Sequence, residues 1–388
     1  MSSETKYDIP FGRPWIDDDD RAAVMKVLQG HILTHGPECK GFEDDWVEMM
    51  GSGYAVSTSS CMASLHLAWL DLGVGPGDEV IVPAMTHAAT VHAVALCGAT
   101  PVFVDCEKDS GNMTADAIKA AITPKTKGIG IVHYIGIPCD MPAIMKVAND
   151  AGLPVVEDCA IAVGSMIDGT HVGLFGHVGC YSFYPVKHIT TCEGGMIVSK
   201  DEETVARIGK FRAFSVDRTF SERKVPGIYD VADVGMNYRM SEMQGALGRT
   251  QLKKLPEILK RRKANFEVLK AGLLEIPGIR VIDDADPRYT NTHYCLVAVF
   301  EGDLGAKRDD IILALQSMGV GTSVYYPHPV RRLTAYKKHY GYDDGAYPNA
   351  EAISDRGIAL PVGPHLNTDD MSDIADALRA TIAGLSDG

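Results

Sequence analysis

The chain has 388 residues, which is too many for one compact core and predicts two or three domains. Hydrophobic residues make up 46% and charged residues 23% of it, a composition typical of a soluble globular protein. A net charge of −14 without any basic block argues against nucleic acid as a partner, although a small phosphorylated ligand would need only local donors. We expect no membrane segment, because no apolar run is long enough to cross a bilayer.

The cysteines and histidines point away from a metal site or a disulfide framework. Nine cysteines are scattered along the chain, and no two have the spacing of a zinc knuckle or a redox pair. His66, His87 and His92 are too far apart in sequence to form a local metal motif. The N-terminus lacks the layout of a signal peptide. We therefore expect a cytoplasmic protein with reduced thiols and no metal.

Strands and helices alternate through the first two thirds of the chain. The sequence predicts strands at residues 54–57, 79–82, 101–105, 129–134, 154–157, 178–183 and 196–199. Helices are predicted at residues 17–29, 61–72, 87–97, 114–122 and 141–151. Strands of Val and Ile character separated by helices indicate an α/β fold with a mainly parallel, seven-stranded sheet that helices cover on both faces.

The remaining chain has a looser pattern. We expect an irregular loop near the site at residues 211–233. The capping box of Ser241 and Gln244 begins a helix that ends near residue 255, and Pro256 opens a second helix through residue 274. Beyond it the sequence predicts strands at 294–300 and 322–326 and helices at 308–318 and 369–383. The predicted organisation is an N-terminal arm (1–15), a large α/β domain (16–252) and a small α+β domain (253–388).

Lys187 is the residue around which a chemical interpretation can be built. It lies in a polar segment between two predicted buried strands, where a lysine normally extends its ammonium to water. If the lysine cannot reach water, its pKa falls, and a neutral amine is a nucleophile for carbonyl groups. The alternative is an ordinary solvated loop lysine.

Two further features fall at predicted strand ends, where ligands bind in doubly wound sheets. The turn at residues 58–60 carries three hydroxyls at a helix N-terminus, which is an anion site suited to phosphate, although such residues also cap helices without a ligand. Asp158 ends a strand and could serve as a metal ligand, a general acid–base or the partner of a protonated ring nitrogen. Together with Lys187 they match what pyridoxal phosphate requires: a Schiff-base lysine, a carboxylate for the pyridine nitrogen and a phosphate cradle. Walker, G-x-G-x-x-G and H-E-x-x-H motifs are absent.

Four separated blocks resemble the DegT-type nucleotide-sugar aminotransferases, which are fold-type I pyridoxal-phosphate enzymes. In chain order the blocks are SSCMASLHLAWLDLGVGPGDEVIVPAMTHAATVHAV, EDCAIAVGS, SFYPVKHITTCEGGMIV and DVGMNYRMSEMQGALGRTQLKKL. The resemblance is strong from residue 9 to residue 255 and looser beyond. It implies that Lys187 forms the internal aldimine and shuttles the proton, while Asp158 pairs with the pyridine nitrogen.

The resemblance also implies the other cofactor contacts. The phosphate would be held by Ser182 and by the backbone at Ser60, Cys61 and Met62. His87 stands where the family usually has an aromatic residue that stacks on the cofactor ring. Asn237 matches an asparagine that reaches a phosphate in the neighbouring subunit, which implies a homodimer with shared active sites.

At four positions this chain departs from the family pattern. Ile161 replaces a glutamine or histidine that binds the phenolic oxygen of the cofactor, and Met62 replaces a threonine that contacts phosphate. Cys192 replaces a glycine in T-G-E-G-G, and Arg331 falls near a common histidine of the substrate loop. None of these changes removes the lysine or its aspartate partner.

The resemblance implies transfer of an amino group, from L-glutamate, to a keto group of a nucleotide-linked deoxysugar, as in polysaccharide biosynthesis. One alternative is a keto-sugar dehydratase of the same family, in which a histidine is expected in place of the lysine. The other is a non-catalytic regulator that binds pyridoxal phosphate. Such regulators often carry a DNA-binding domain, for which this chain has neither spare length nor basic charge.

Overall fold

The computed structural model describes residues 5–217, 225, 227–343 and 347–386. The described helices are α1 (Asp18–Leu28), α2 (Pro37–Met50), α3 (Cys61–Asp71), α4 (Ala88–Leu96), α5 (Ala115–Ala121), α6 (Met141–Ala151), α7 (Glu202–Phe211), α8 (Glu242–Leu274), α9 (Asp303–Ala306), α10 (Arg308–Ser317), α11 (Thr334–Tyr340), α12 (Pro348–Arg356) and α13 (Thr368–Ser386). The described strands are β1 (Tyr54–Thr58), β2 (Glu79–Pro83), β3 (Thr100–Val104), β4 (Thr126–Val132), β5 (Val155–Asp158), β6 (Met166–Ile167), β7 (Thr170–His171), β8 (Val178–Ser182), β9 (Gly195–Ser199), β10 (Ile279–Val281), β11 (Tyr289–Thr290), β12 (Leu296–Phe300) and β13 (Gly357–Leu360).

A seven-stranded sheet forms the centre of the larger part of the molecule, in the order β1-β9-β8-β5-β4-β2-β3. The neighbours from β8 to β3 pair in parallel, whereas β9 runs antiparallel to both β8 and β1. The predicted α/β fold with a mainly parallel seven-stranded sheet is therefore confirmed. Its parallel strands are buried along nearly their whole length because helices cover both faces.

Close packing of α3 against the sheet explains two glycines of β4. The fully buried ring of Trp69 lies over Gly128 and Gly130, where an added Cβ would come within 2.8 Å and 3.1 Å of the indole. A side chain at either position would displace the ring from a close-packed interior. This contact holds the last turn of α3 against β4.

A second, three-stranded sheet, β10-β12-β13, forms a core with α8, α10 and α13. The N-terminal segment pairs with this part of the molecule through hydrogen bonds of Tyr7 and Ile9 to residues 318–321. The division at residue 252 stays a prediction, because α8 passes through that position without a break. Among the described helices, none is both long enough and apolar enough to span a membrane.

Two predictions of secondary structure are wrong. The helices predicted on either side of Pro256 are one continuous helix, α8, since packing against α1, α2 and α13 offsets the hydrogen bond that proline cannot donate. The strand predicted at residues 322–326 is absent, and only Ser323 forms an isolated bridge, with Ala359. Residues 218–224 and 226 of the predicted loop at 211–233 lie outside the described residues.

Candidate active site

The candidate site lies at the carboxyl edge of the central sheet. Asp158 is the last residue of β5 and Ser182 is the last residue of β8, and these strands are parallel neighbours. The carboxyl ends of parallel strands meet at one sheet edge, so the loop that follows β8 brings Lys187 to the same edge. The N-terminus of α3 reaches this edge as well, because its first residue, Cys61, lies close to Asp158.

Lys187 is partly buried, and its ammonium faces an aromatic ring rather than a carboxylate. Its Nζ lies 5.2 Å from the ring centroid of Tyr294, a distance that allows a cation–π interaction. No hydrogen bond or ion pair joins Nζ to any residue that the structure describes. Burial lowers the pKa of Lys187, and the negative charge of Asp158 opposes this shift only in part. The amine is therefore easier to deprotonate than that of a solvated lysine.

Asp158 is only 4% exposed and is held by donors on both oxygens. The Ala160 N–H donates to Oδ1 at 3.0 Å, and the Thr90 hydroxyl donates to Oδ2 at 2.8 Å. The Cys61 Sγ lies 4.0 Å from Oδ1, and burial raises the pKa of this thiol well above its usual value, so it stays protonated. The carboxylate is thus oriented by the protein and keeps room for another donor.

The start of α3 forms a cradle of unsatisfied backbone donors. Ser60 caps the helix by accepting the Ala63 N–H at 3.1 Å, whereas the N–H groups of Cys61 and Met62 have no partner among the described residues. Gly195 lies against this turn, since an added Cβ would meet the Ser60 carbonyl at 2.6 Å. Ser182 pairs with Gly195 in the ladder between β8 and β9, so its side chain borders the same region.

The remaining predicted site residues lie at different depths. His87 caps α4, and its ring packs edge-on against Tyr326 with 5.9 Å between centroids. Partial burial, followed by the nearby Lys187 cation, lowers the pKa of His87, so its ring is neutral at pH 7. Ile161 is fully buried, three residues after Asp158. Asn237 is exposed and precedes Tyr238, whose carbonyl accepts the Ser59 N–H at 2.8 Å.

Two of the departures from the family pattern lie at the margin of the site. Cys192 is exposed and adopts a positive φ of 69°, a backbone conformation that normally favours glycine. Arg331 is turned toward Asp343, with 2.6 Å between Nη2 and Oδ1, and its Nη1 donates to Tyr347 at 2.9 Å. These contacts orient its guanidinium along the segment that follows it in the chain.

Sequence reasoning missed an aromatic wall beside Lys187. The Tyr294 and Tyr325 hydroxyls lie 2.8 Å apart, and Tyr325 packs against Tyr326. Behind the wall, Arg262 donates to the Tyr294 carbonyl at 2.7 Å, and burial lowers the pKa of this guanidinium to about 10. The signal for the wall was the aromatic pair at residues 325–326, which the sequence analysis assigned to a strand.

A buried group next to Asp158 resembles a metal site but is already satisfied. The ligand atoms of His133, Glu157 and Cys159 lie within 4.8 Å of one another. Glu157, however, accepts three backbone N–H groups from the loop at residues 173–176 in addition to the His133 Nε2 at 3.0 Å. The backbone N–H of Cys139 donates to the other His133 nitrogen, so Nε2 carries the hydrogen and donates to the carboxylate. This network links β4 and β5 to the loop and has a structural role.

The chemistry of these donors fits pyridoxal phosphate. Lys187 offers an amine whose pKa is lowered, and Asp158 offers a buried carboxylate with an unused lone pair. The free N–H groups at the start of α3 offer an anion site, and the glycine at position 195 leaves that turn uncrowded. The amine suits the carbonyl carbon of this cofactor, the carboxylate suits its ring nitrogen, and the backbone N–H groups suit its phosphate.

The chain is similar over its whole length to characterised proteins. It is 33% identical to the spore coat polysaccharide biosynthesis protein SpsC of Bacillus subtilis, covering 99% of this chain and 100% of that protein. The solved structure of the aminotransferase TlmJ from Streptoalloteichus hindustanus superimposes with a TM-score of 0.90 at 32% identity, covering 98% of this chain and 100% of that one. Helicobacter pylori PseC, an aminotransferase involved in the biosynthesis of pseudoaminic acid, gives a TM-score of 0.91 at 25% identity, covering 97% and 100%.

The model of one family matches nearly the whole chain, from residue 14 to residue 379. Aminotransferases of this family use pyridoxal phosphate, so the predicted cofactor is confirmed. The resemblance of the four sequence blocks is confirmed by the same match. The chain belongs to the DegT/DnrJ/EryC1/StrS aminotransferase family.

Proposed function

We propose that this aminotransferase moves an amino group from L-glutamate to the keto group of a nucleotide-linked deoxysugar. The observation that carries the proposal is the partly buried amine of Lys187, which lies beside the buried carboxylate of Asp158 at the carboxyl edge of the sheet. A sugar as acceptor is supported by SpsC, which belongs to polysaccharide biosynthesis, and by PseC, which takes part in making pseudoaminic acid.

We assign the cofactor contacts as follows. Lys187 would bind the carbonyl carbon of the cofactor, and Asp158 would pair with the ring nitrogen. The backbone at Cys61 and Met62 would hold the phosphate, together with the hydroxyls of Ser60 and Ser182. The ring of His87 would cover one face of the cofactor, and the buried side chain of Ile161 would line the pocket near the phenolic oxygen.

Pyridoxal phosphate supplies an electron sink that stabilises negative charge at the carbon bonded to the substrate nitrogen. The protein has to move one proton and keep its own groups in the required charge states. Burial lowers the pKa of Lys187 and so favours its neutral amine, which is the form that can take a proton. The protein alone orients Asp158, since the donors to its two oxygens are the Thr90 hydroxyl and the Ala160 N–H. The ring of Tyr294 covers one side of the amine.

The same geometry disfavours the dehydratase alternative. His188 follows the lysine, but its Nε2 hydrogen bonds to the Thr292 carbonyl at 3.2 Å, and burial lowers its pKa well below the usual range. The ring of His188 is therefore neutral, and its Nε2 hydrogen is donated to a backbone carbonyl. Aminotransfer, which needs the lysine itself, is therefore favoured over dehydration.

We also propose a homodimer in which Asn237 reaches the active site of the partner subunit. Asn237 is exposed, as that role requires. Large apolar side chains are exposed in two segments of the chain, at residues 25–33 and 228–234, and they are Met25, Leu28, Ile32, Leu33, Ile228, Tyr229, Val231 and Val234. Apolar exposure on this scale is typical of an interface. Nine unpaired cysteines support the proposed cytoplasmic location.

A direct test supplies purified holoenzyme with L-glutamate and a panel of GDP-, UDP- and dTDP-linked keto sugars. Mass spectrometry should find an amino sugar for one nucleotide class, together with an equal amount of 2-oxoglutarate. Release of 2-oxoglutarate without any amino sugar would reject the acceptor class. Loss of the sugar hydroxyl without any use of glutamate would support the dehydratase instead.

A further inference from the structure

Two buried threonine hydroxyls form a chain that ends on the Asp158 carboxylate. Thr86 is 2% exposed and Thr90 is 3% exposed, and their Oγ1 atoms lie 2.9 Å apart. The Thr90 Oγ1 lies 2.8 Å from the Asp158 Oδ2. Neither hydroxyl is needed for helix capping, because His87 caps α4 through its ring nitrogen. The burial of these two hydroxyls next to Asp158 therefore needs another explanation.

The positions of the two hydroxyl hydrogens, on Thr86 and Thr90, can be assigned from chemistry alone. An ionised carboxylate only accepts hydrogen bonds, and a threonine hydroxyl has one hydrogen to donate. Thr90 must therefore donate to Asp158, and its oxygen must accept the hydrogen of Thr86. Both hydroxyl dipoles point their positive ends toward the carboxylate. Thr90 also lies in the first turn of α4, so the positive end of that helix is directed at the same group.

The two oxygens of Asp158 are held differently. Oδ1 accepts the backbone N–H of Ala160, a contact that no side-chain substitution removes. For Oδ2, the Thr90 hydroxyl is the donor that the described part of the chain provides. One hydrogen bond from Thr90 thus controls how the carboxylate is rotated about its axis and where its unused lone pair points.

We propose that Thr90 is a positioning residue that keeps the carboxylate of Asp158 turned toward the ring nitrogen of the cofactor, with Thr86 fixing the direction of the Thr90 hydroxyl. The proposal rests on the pairing of Asp158 with that nitrogen put forward above. A carboxylate aimed at the ring nitrogen favours its protonated form, which makes the ring an effective electron sink.

Other charged and polar groups surround Asp158, but none of those described could replace the hydrogen bond from Thr90. Lys187 and His87 interact with its charge across the site, and the thiols beside it stay protonated because burial raises their pKa. The groups that face Asp158 from the surrounding elements are Cys61, His87, Cys180, Lys187 and Tyr326. A protonated thiol is a weak donor, so a hydroxyl at 2.8 Å dominates the orientation.

The test compares variants of Thr90 by titrating the apoprotein with pyridoxal phosphate and by assaying the holoenzyme. Thr90→Val should weaken the affinity for the cofactor several-fold, and Thr90→Ser should restore it. Thr90→Val keeps the shape of the side chain but removes the hydroxyl, and kcat should fall about tenfold while KM for the amino donor changes by less than about twofold. Thr90→Ser restores the hydroxyl and should recover most of kcat. Thr86→Val should lower kcat roughly threefold, because it removes only the group that orients the Thr90 hydroxyl. Should the valine variant not fold, Thr90→Ala gives the same comparison.

Two further variants separate the possible failures. Thr381→Val removes a buried hydroxyl that bonds only within α13, and kcat should not change. If Asp158→Asn is inactive while Thr90→Val has normal kcat, the positioning role is refuted and the function of Asp158 stands. If Asp158→Asn keeps full activity, the proposed pairing with the ring nitrogen is refuted as well. A fall in kcat that serine does not restore would also overturn the proposal.

Discussion

Two adjacent residues, Lys187 and His188, show how burial decides which group can act as the base. Both side chains are largely removed from water, yet Nζ of the lysine faces a tyrosine ring, while the histidine donates to a backbone carbonyl. Burial lowers the pKa of both groups. For a lysine this shift moves the pKa toward the working pH, whereas for a histidine it moves the pKa away from it.

The lowered pKa of Lys187 predicts an unusual pH dependence in the cofactor-free protein. A neutral amine reacts with acetic anhydride and an ammonium does not, so Lys187 should become reactive at a lower pH than the exposed lysines of the same molecule. Asp158 raises the pKa of Lys187, so Asp158→Asn should move the midpoint to still lower pH. Pulse labelling followed by peptide mass spectrometry measures both midpoints. A Lys187 midpoint equal to that of the exposed lysines would contradict the geometry.

At this scale the sequence was informative about Lys187 and Asp158, because each follows a recognisable buried strand. It was silent about Thr90 and Tyr294. Their roles depend on contacts between distant parts of the chain: Thr90 contacts Asp158 across 68 positions, and the ring of Tyr294 lies beside Lys187, more than a hundred positions earlier in the sequence. A threonine in a helix and a tyrosine beside a strand have no local pattern that indicates such contacts.

Among the elements, β9 explains how the turn at residues 58–60, the proposed phosphate site, is kept open. It runs antiparallel between β1 and β8, and its first residue, Gly195, pairs with Thr58 on one side and Ser182 on the other. A side chain there would meet the Ser60 carbonyl at 2.6 Å and the Thr58 hydroxyl at 2.7 Å. The glycine is required by close approach of the two backbones.

Gly195→Ala should therefore push the start of α3 away from β9. We expect the affinity for pyridoxal phosphate to fall at least tenfold and the free energy of unfolding to fall by about 1–3 kcal/mol. Fluorescence titration of the cofactor and urea unfolding measure the two effects. Gly384→Ala is the matched control, because nothing lies within 4 Å of its added Cβ, and it should leave cofactor affinity unchanged. Normal affinity in Gly195→Ala would show that the turn tolerates displacement.

The two wrong predictions of secondary structure share a physical cause. A helix normally ends before a proline, but Pro256 is exposed, and α8 packs against three other helices. β-Branched and aromatic residues at 322–326 favour a strand, yet Tyr325 and Tyr326 pack into the aromatic wall instead. In both cases tertiary packing overrides a local preference that is worth only a few kcal/mol.

For the whole molecule, the proposed homodimer would explain several exposed apolar side chains. Val234 is 83% exposed, three residues before Asn237, and Ile228 is 62% exposed. In water such residues are unfavourable unless another surface covers them. In the proposed homodimer a second copy of the chain covers them, and Asn237 reaches the neighbouring site.

Val234→Asp should break this contact. We expect sedimentation to show a dimer for the unmodified protein and a monomer for the variant, with aminotransfer reduced at least tenfold because the partner's Asn237 is lost. Leu313→Asp, on α10, is the control, since Leu313 is 61% exposed on a different surface and should leave both properties unchanged. A fully active monomer of the unmodified protein would contradict the shared site.

The central claim, that Lys187 holds the cofactor and moves the proton, has a direct test. Borohydride reduction of the holoenzyme fixes pyridoxal phosphate on the amine that binds it, and digestion followed by mass spectrometry locates the modified residue. We predict a single modified peptide carrying Lys187, and no modification or measurable aminotransfer in Lys187→Ala. Modification of a different lysine, or full activity in Lys187→Ala, would contradict the claim.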